Sequence, residues 1–85
     1  MNQEEFLRYK RQYDWVLKPF FDMLEQKREG MSDDEWSLAV IQLEACIINA
    51  PEQYLGHDLP EKDLIGRIIK EIFEDFLEEK LDPAY

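Results

Sequence analysis

DDEWSLAVIQLEACIIN, residues 33–49, is the one long segment of this chain that is apolar nearly all the way round a helix. Ser32, with Glu35 three positions on, matches a capping box: the serine oxygen accepts a backbone N–H and the glutamate reaches back to close the turn. Asp33 and Asp34 add negative charge where the helix dipole is positive. At about 100° per residue, Trp36, Val40, Leu43 and Ile47 share one face, while Leu38, Ile41, Ala45 and Ile48 share the opposite one. Two apolar faces call for two partners, so the segment reads as the buried central helix of a bundle. Gln42, Glu44 and Asn49 interrupt it, and its 17 residues lie near the short limit for crossing a bilayer. Pro51 ends it, because a proline pushes the residue before it out of helical angles.

Outward toward the N-terminus, Phe6, Tyr9, Tyr13, Val16, Leu17, Phe20 and Leu24 recur at intervals of three and four, which predicts an amphipathic helix over about 3–28. Pro19 falls inside it, predicting a kink or two shorter helices meeting near Lys18. Lys27 and Arg28 complement the negative end of the dipole, and Gly30 is placed to end the helix.

Outward toward the C-terminus, residues 50–60 carry turn formers, with one helical turn expected over 52–55 and Tyr54 and Leu55 plugging the end of the bundle. A last, long helix should start near Pro60, with Glu61 and Asp63 in its first turn, and stop at Asp82 and Pro83. Its apolar residues come in pairs: Leu64 and Ile65, Ile68 and Ile69, Ile72 and Phe73, Phe76 and Leu77. A step of four drifts by about 40° per pair, so the buried face rotates along the helix, as suits crossing two neighbours. Gly66 lowers helix propensity there by roughly 1 kcal/mol, which suggests close approach of a neighbouring backbone or Trp ring. The expected fold is all-α, a small three- to four-helix bundle forming a single domain over 1–85.

Composition narrows the function classes. Hydrophobic residues make up 45% and aromatics 13%, enough for a packed core despite 35% charged residues. Cys46 is the only cysteine, so no internal disulfide forms. The opening Met-Asn-Gln-Glu-Glu lacks the pattern of a secretory signal, and a cytoplasmic protein is the default expectation. Net charge is −10, unevenly spread. Residues 1–31 hold six basic and six acidic side chains, whereas residues 32–85 hold four basic and fourteen acidic, so the whole excess lies in the second part. That distribution argues against direct nucleic-acid or membrane binding and favours a basic protein partner.

Two features suggest a contact surface. Glu71, Glu74, Asp75, Glu78, Glu79 and Asp82 follow at three- and four-residue steps on the side of the last helix away from its apolar pairs. Four residues rise about 6 Å, a spacing near that of phosphates along a nucleic-acid strand. These carboxylates also stand toward the negative end of the helix dipole and repel one another, so stability alone does not account for them. A solvated, solubilising helix face is the plain alternative. The second feature is Trp15 with Phe21, which lie off the main apolar stripe and suit anchors at a protein interface. The remaining aromatics of the first helix match its core stripe, despite Arg8, Lys10, Arg11 and Lys18 nearby.

Catalytic patterns do not emerge. His57 has no glutamate three before it, as a helical di-metal site needs, and Cys46 sits in the apolar middle of the central helix, where a thiolate is disfavoured. There is no glycine-rich phosphate loop, serine elbow or zinc-ligand cluster, and no cofactor or metal site is expected. The reading is therefore a non-catalytic, acidic protein-binding module, an adaptor or inhibitor docking on a basic surface. The alternatives are a nucleic-acid mimic that inhibits a DNA- or RNA-binding enzyme, and a structural homodimer subunit that completes its core by pairing.

Overall fold

A computed structural model describes residues 3–81, with side chains over residues 3–79. Four helices and no strand occur among them: α1 (Gln3–Lys27), α2 (Asp33–Asn49), α3 (Pro51–Leu55) and α4 (Lys62–Leu81), with a 3-10 turn at Arg28–Gly30. The all-α bundle expected from periodicity is the architecture observed.

Local chemistry sets the boundaries. The capping box is complete: the Glu35 N–H donates to Ser32 Oγ at 3.1 Å, and the Ser32 N–H donates to Glu35 Oε1 at 3.0 Å. Those two bonds satisfy donors that a helix start otherwise leaves unpaired, and the Ser32 N–H, helped by the Ser32 hydroxyl, holds the Glu35 carboxyl below its ordinary pKa. At the far end the Ala50 N–H donates to Cys46 O at 3.0 Å, and Pro51 opens α3 at a first-turn position where its missing N–H costs nothing. Gly56 follows α3 with φ 88° and ψ −162°, a conformation that side-chain-bearing residues rarely adopt. The last helix begins at Lys62, two residues beyond Pro60, with the Ile65 N–H bonded to Glu61 O at 3.0 Å. The expected stop at Asp82 and Pro83 lies outside the described residues.

Two sequence expectations about the backbone are narrowed or corrected. Of the two outcomes expected at Pro19, two shorter helices do not occur: α1 runs through Pro19 as one helix. Proline removes one bond, to the carbonyl of Trp15, and both residues are exposed, so water can serve that carbonyl without a break in the helix. A Cβ placed on Gly66 would meet nothing within 4 Å, so no close approach explains that glycine.

The core gathers Tyr9, Tyr13, Leu17 and Leu24 from α1, Trp36, Val40 and Ile47 from α2, Leu55 from α3, and seven residues of α4 from Leu64 to Phe76. Leu55 seals the end of the bundle, and half-buried Tyr54 sets its ring 5.6 Å from that of Phe20. Polar atoms carried into the core keep partners. Trp36 Nε1–H donates to Leu24 O at 2.7 Å, and Tyr13 O–H donates to Asp58 O at 3.0 Å, tying α1 to the loop before α4. Burial, with Tyr9 and Asp58 adding, pushes the Tyr13 phenol up to about 12.

The central helix departs from the expectation that both its faces are covered. Trp36, Val40 and Ile47 are buried, whereas Leu38 and Ile41 on the opposite side are 55% and 53% exposed. Ala45 and Cys46 are exposed as well, so the thiol is not in an apolar interior. The molecule measures 39 × 30 × 18 Å, and its shortest dimension holds two layers of helices at the usual 8–10 Å separation. In two layers a helix is covered from one side.

Candidate functional site

The acidic row on α4 divides when its neighbours are considered. Glu71, Glu74, Asp75, Glu78 and Glu79 are all exposed, while Asp82 lies outside the described residues. Lys10 reaches across from α1 and donates to Asp75 Oδ2 at 2.8 Å and to Glu71 Oε1 at 3.1 Å. It is the least exposed member of the trio, and the bond to Asp75, helped by Glu71, raises its pKa against the opposing effect of burial. Asp14 borders this cluster; burial raises its carboxyl, Asp75 adds to the effect and Lys10 opposes it. One side of the row is thus crosslinked to α1.

The other side faces α2. Glu74 stands near Glu44, whose carboxyl is raised first by burial and then by Glu74, with Lys70 pulling the opposite way. Glu78 and Glu79 continue the row in solvent. The result is a negative ridge between α2 and α4 rather than a uniform ladder of carboxylates.

The two aromatic candidates part company. Trp15 is 77% exposed, and exposed Leu7, Arg11 and Lys18 fall on the same outer face of α1. Phe21 corrects the sequence expectation. It is half-buried, stacked on Phe76 with ring centroids 4.4 Å apart and set edge-on to Phe73 at 5.0 Å. The rotating apolar face of α4 carries Phe73 and Phe76 past the side of α1, so Phe21 belongs to the core.

Sequence reasoning missed Lys10, whose neutralising role depends on partners 61 and 65 positions away, and it missed that Leu38 and Ile41 are left uncovered. The latter has a structural cause: α1 and α4 pack against each other as well as against α2, so they meet α2 from one side and leave its opposite apolar face open.

His57 and Cys46 are both exposed and lie on separate elements. Among the described residues no group of three or more His, Cys, Asp or Glu side chains is placed to hold a metal ion, and no helix is long and apolar enough to cross a membrane. No protein-family model, curated protein or solved structure matches the chain.

Proposed function

We propose that this protein is a non-catalytic binding module, an adaptor or inhibitor, that docks on a basic surface of a protein partner. The observation that carries the reading is the outward display of its charge. No charged residue is buried among the described residues, and the −10 excess all derives from residues 32–85. A surface of one sign raises the rate of encounter with an oppositely charged partner and disfavours acidic ones. The nucleic-acid mimic is the weaker form of the idea, because Lys10 occupies Glu71 and Asp75, two of the carboxylates that would stand in for successive phosphates.

Affinity capture from a lysate of the source cell tests the reading, with washes at low salt and at about 1 M, where the Debye length falls to roughly 3 Å. A partner retained at low salt, released at high salt and weakened by Glu74→Gln with Glu78→Gln is the expected result. A partner held equally at both salts and indifferent to those changes would overturn it.

A further inference from the structure

Leu38, Ile41, Ala45 and Ile48 follow one another at steps of three, four and three, the spacing of a seam between two packed helices. Leu38 and Ile41 are more than half exposed, Ala45 is exposed and Ile48 is half-buried. Ala45 is the smallest side chain of the four. Among the described residues Leu38, Ile41 and Ala45 stay exposed, while Ile48 leans on the core.

The segment that carries this face is acidic. From Glu29 to Glu61 the chain contains eight carboxylates and no lysine or arginine. Asp34 stands at one end of the seam, Glu52 lies just past the other, and Glu44 runs along the flank next to α4. There Glu74 acts on Glu44 electrostatically, raising its carboxyl pKa by more than Lys70 lowers it. Arg28 is drawn to the helix start, 3.8 Å from Asp33 and over the Trp36 ring.

Building on the reading that the partner is basic, we propose that the outer face of α2 is the docking seam and that its occupant is a basic amphipathic helix. Apolar side chains of that helix cover Leu38 and Ile41, and its lysines or arginines meet Glu44 and Glu74. A second copy of this chain fits less well. It would bring eight more carboxylates and no cation from its own residues 29–61.

The test uses the full chain and two synthetic peptides of about 20 residues, long enough to span α2. Both contain the same leucines and lysines; one arranges the leucines on a single helical face and the other scatters them. Affinity is measured by titration, and the alkylation rate of exposed Cys46, next in sequence to Ala45 of the seam, serves as a second readout of occupancy of α2. The amphipathic peptide should bind about tenfold or more tightly than its scattered counterpart and should slow Cys46 alkylation. Leu38→Ser with Ile41→Ser should cut that affinity about tenfold or more, at unchanged helicity by circular dichroism. Equal binding of both peptides, weakened by Glu74→Gln with Glu78→Gln and leaving Cys46 alkylation unchanged, would overturn the seam while preserving the basic-partner reading. Failure of both peptides to bind at low salt would overturn both. Self-association in sedimentation that disappears in the Leu38→Ser, Ile41→Ser chain would assign the seam to a second copy and overturn the proposal.

Discussion

The two apolar helices of this bundle, α2 and α4, use their hydrophobic residues differently. In α4 the pairs from Leu64 to Phe73, together with Phe76, are buried, because a face that drifts by about 40° per pair meets α1 and α2 in turn. In α2 one face is buried to 0% exposure at Trp36, Val40 and Ile47, while Leu38 and Ile41 on the other meet solvent. Apolar content therefore does not decide burial. A rotating stripe can be filled by two neighbours in a two-layer fold; two opposed stripes cannot.

The largest expected effect tests this contrast within α2. Trp36→Ala removes a fully buried ring that packs on Phe76 and donates to Leu24 O, and should destabilise the fold by about 3–5 kcal/mol. Leu38→Ser with Ile41→Ser should shift stability by no more than about 0.5 kcal/mol per site. Urea denaturation of the three proteins measures both. A large loss in the double variant would mean that the outer face contributes to the fold itself, and the distinction between the faces would fall.

How much of this was legible follows from the range of each interaction. The capping box at Ser32 and Glu35 spans three positions and appears in the structure with both bonds, since its partners are fixed by local geometry. The paired stripe of α4 was legible for a related reason, as periodicity alone says which residues share a face. Phe21, Lys10 and the uncovered half of α2 were not. Each depends on where a second helix passes, and spacing within one helix carries no information about that. The candidate site was legible as a row of carboxylates on α4, but its division between α1 and α2 was not.

A smaller effect reads burial through pH. Below about pH 10 the Tyr13 phenol is neutral in both folded and unfolded chains, so its contribution to stability is fully present. Above that the unfolded chain loses the proton while the folded one keeps it up to about 12, so the contribution is lost as pH rises through this window. Urea midpoints should fall between about pH 10 and 12, and less steeply in Tyr13→Phe. The variant also gives up the bond to Asp58 O, so the slope rather than the absolute midpoint is the diagnostic. Equal slopes in the two proteins would mean that Tyr13 is open to solvent in solution.

The smallest effect has the opposite sign and lies in α4, the helix that otherwise uses its apolar face fully. Gly66 is interior to that helix, has nothing within 4 Å of the position a Cβ would take, and does not have positive φ. Gly66→Ala restricts the unfolded chain and raises helix propensity without a clash, so it should stabilise the fold by about 0.4–1 kcal/mol. Thermal melting resolves such a gain, which in a domain of this size raises the midpoint by several degrees. If the variant is instead destabilised, a neighbour approaches α4 more closely in solution than in this structure. The rotating stripe would then owe part of its fit to that missing side chain, and the contrast with α2 would rest on a close helix crossing as well as on periodicity.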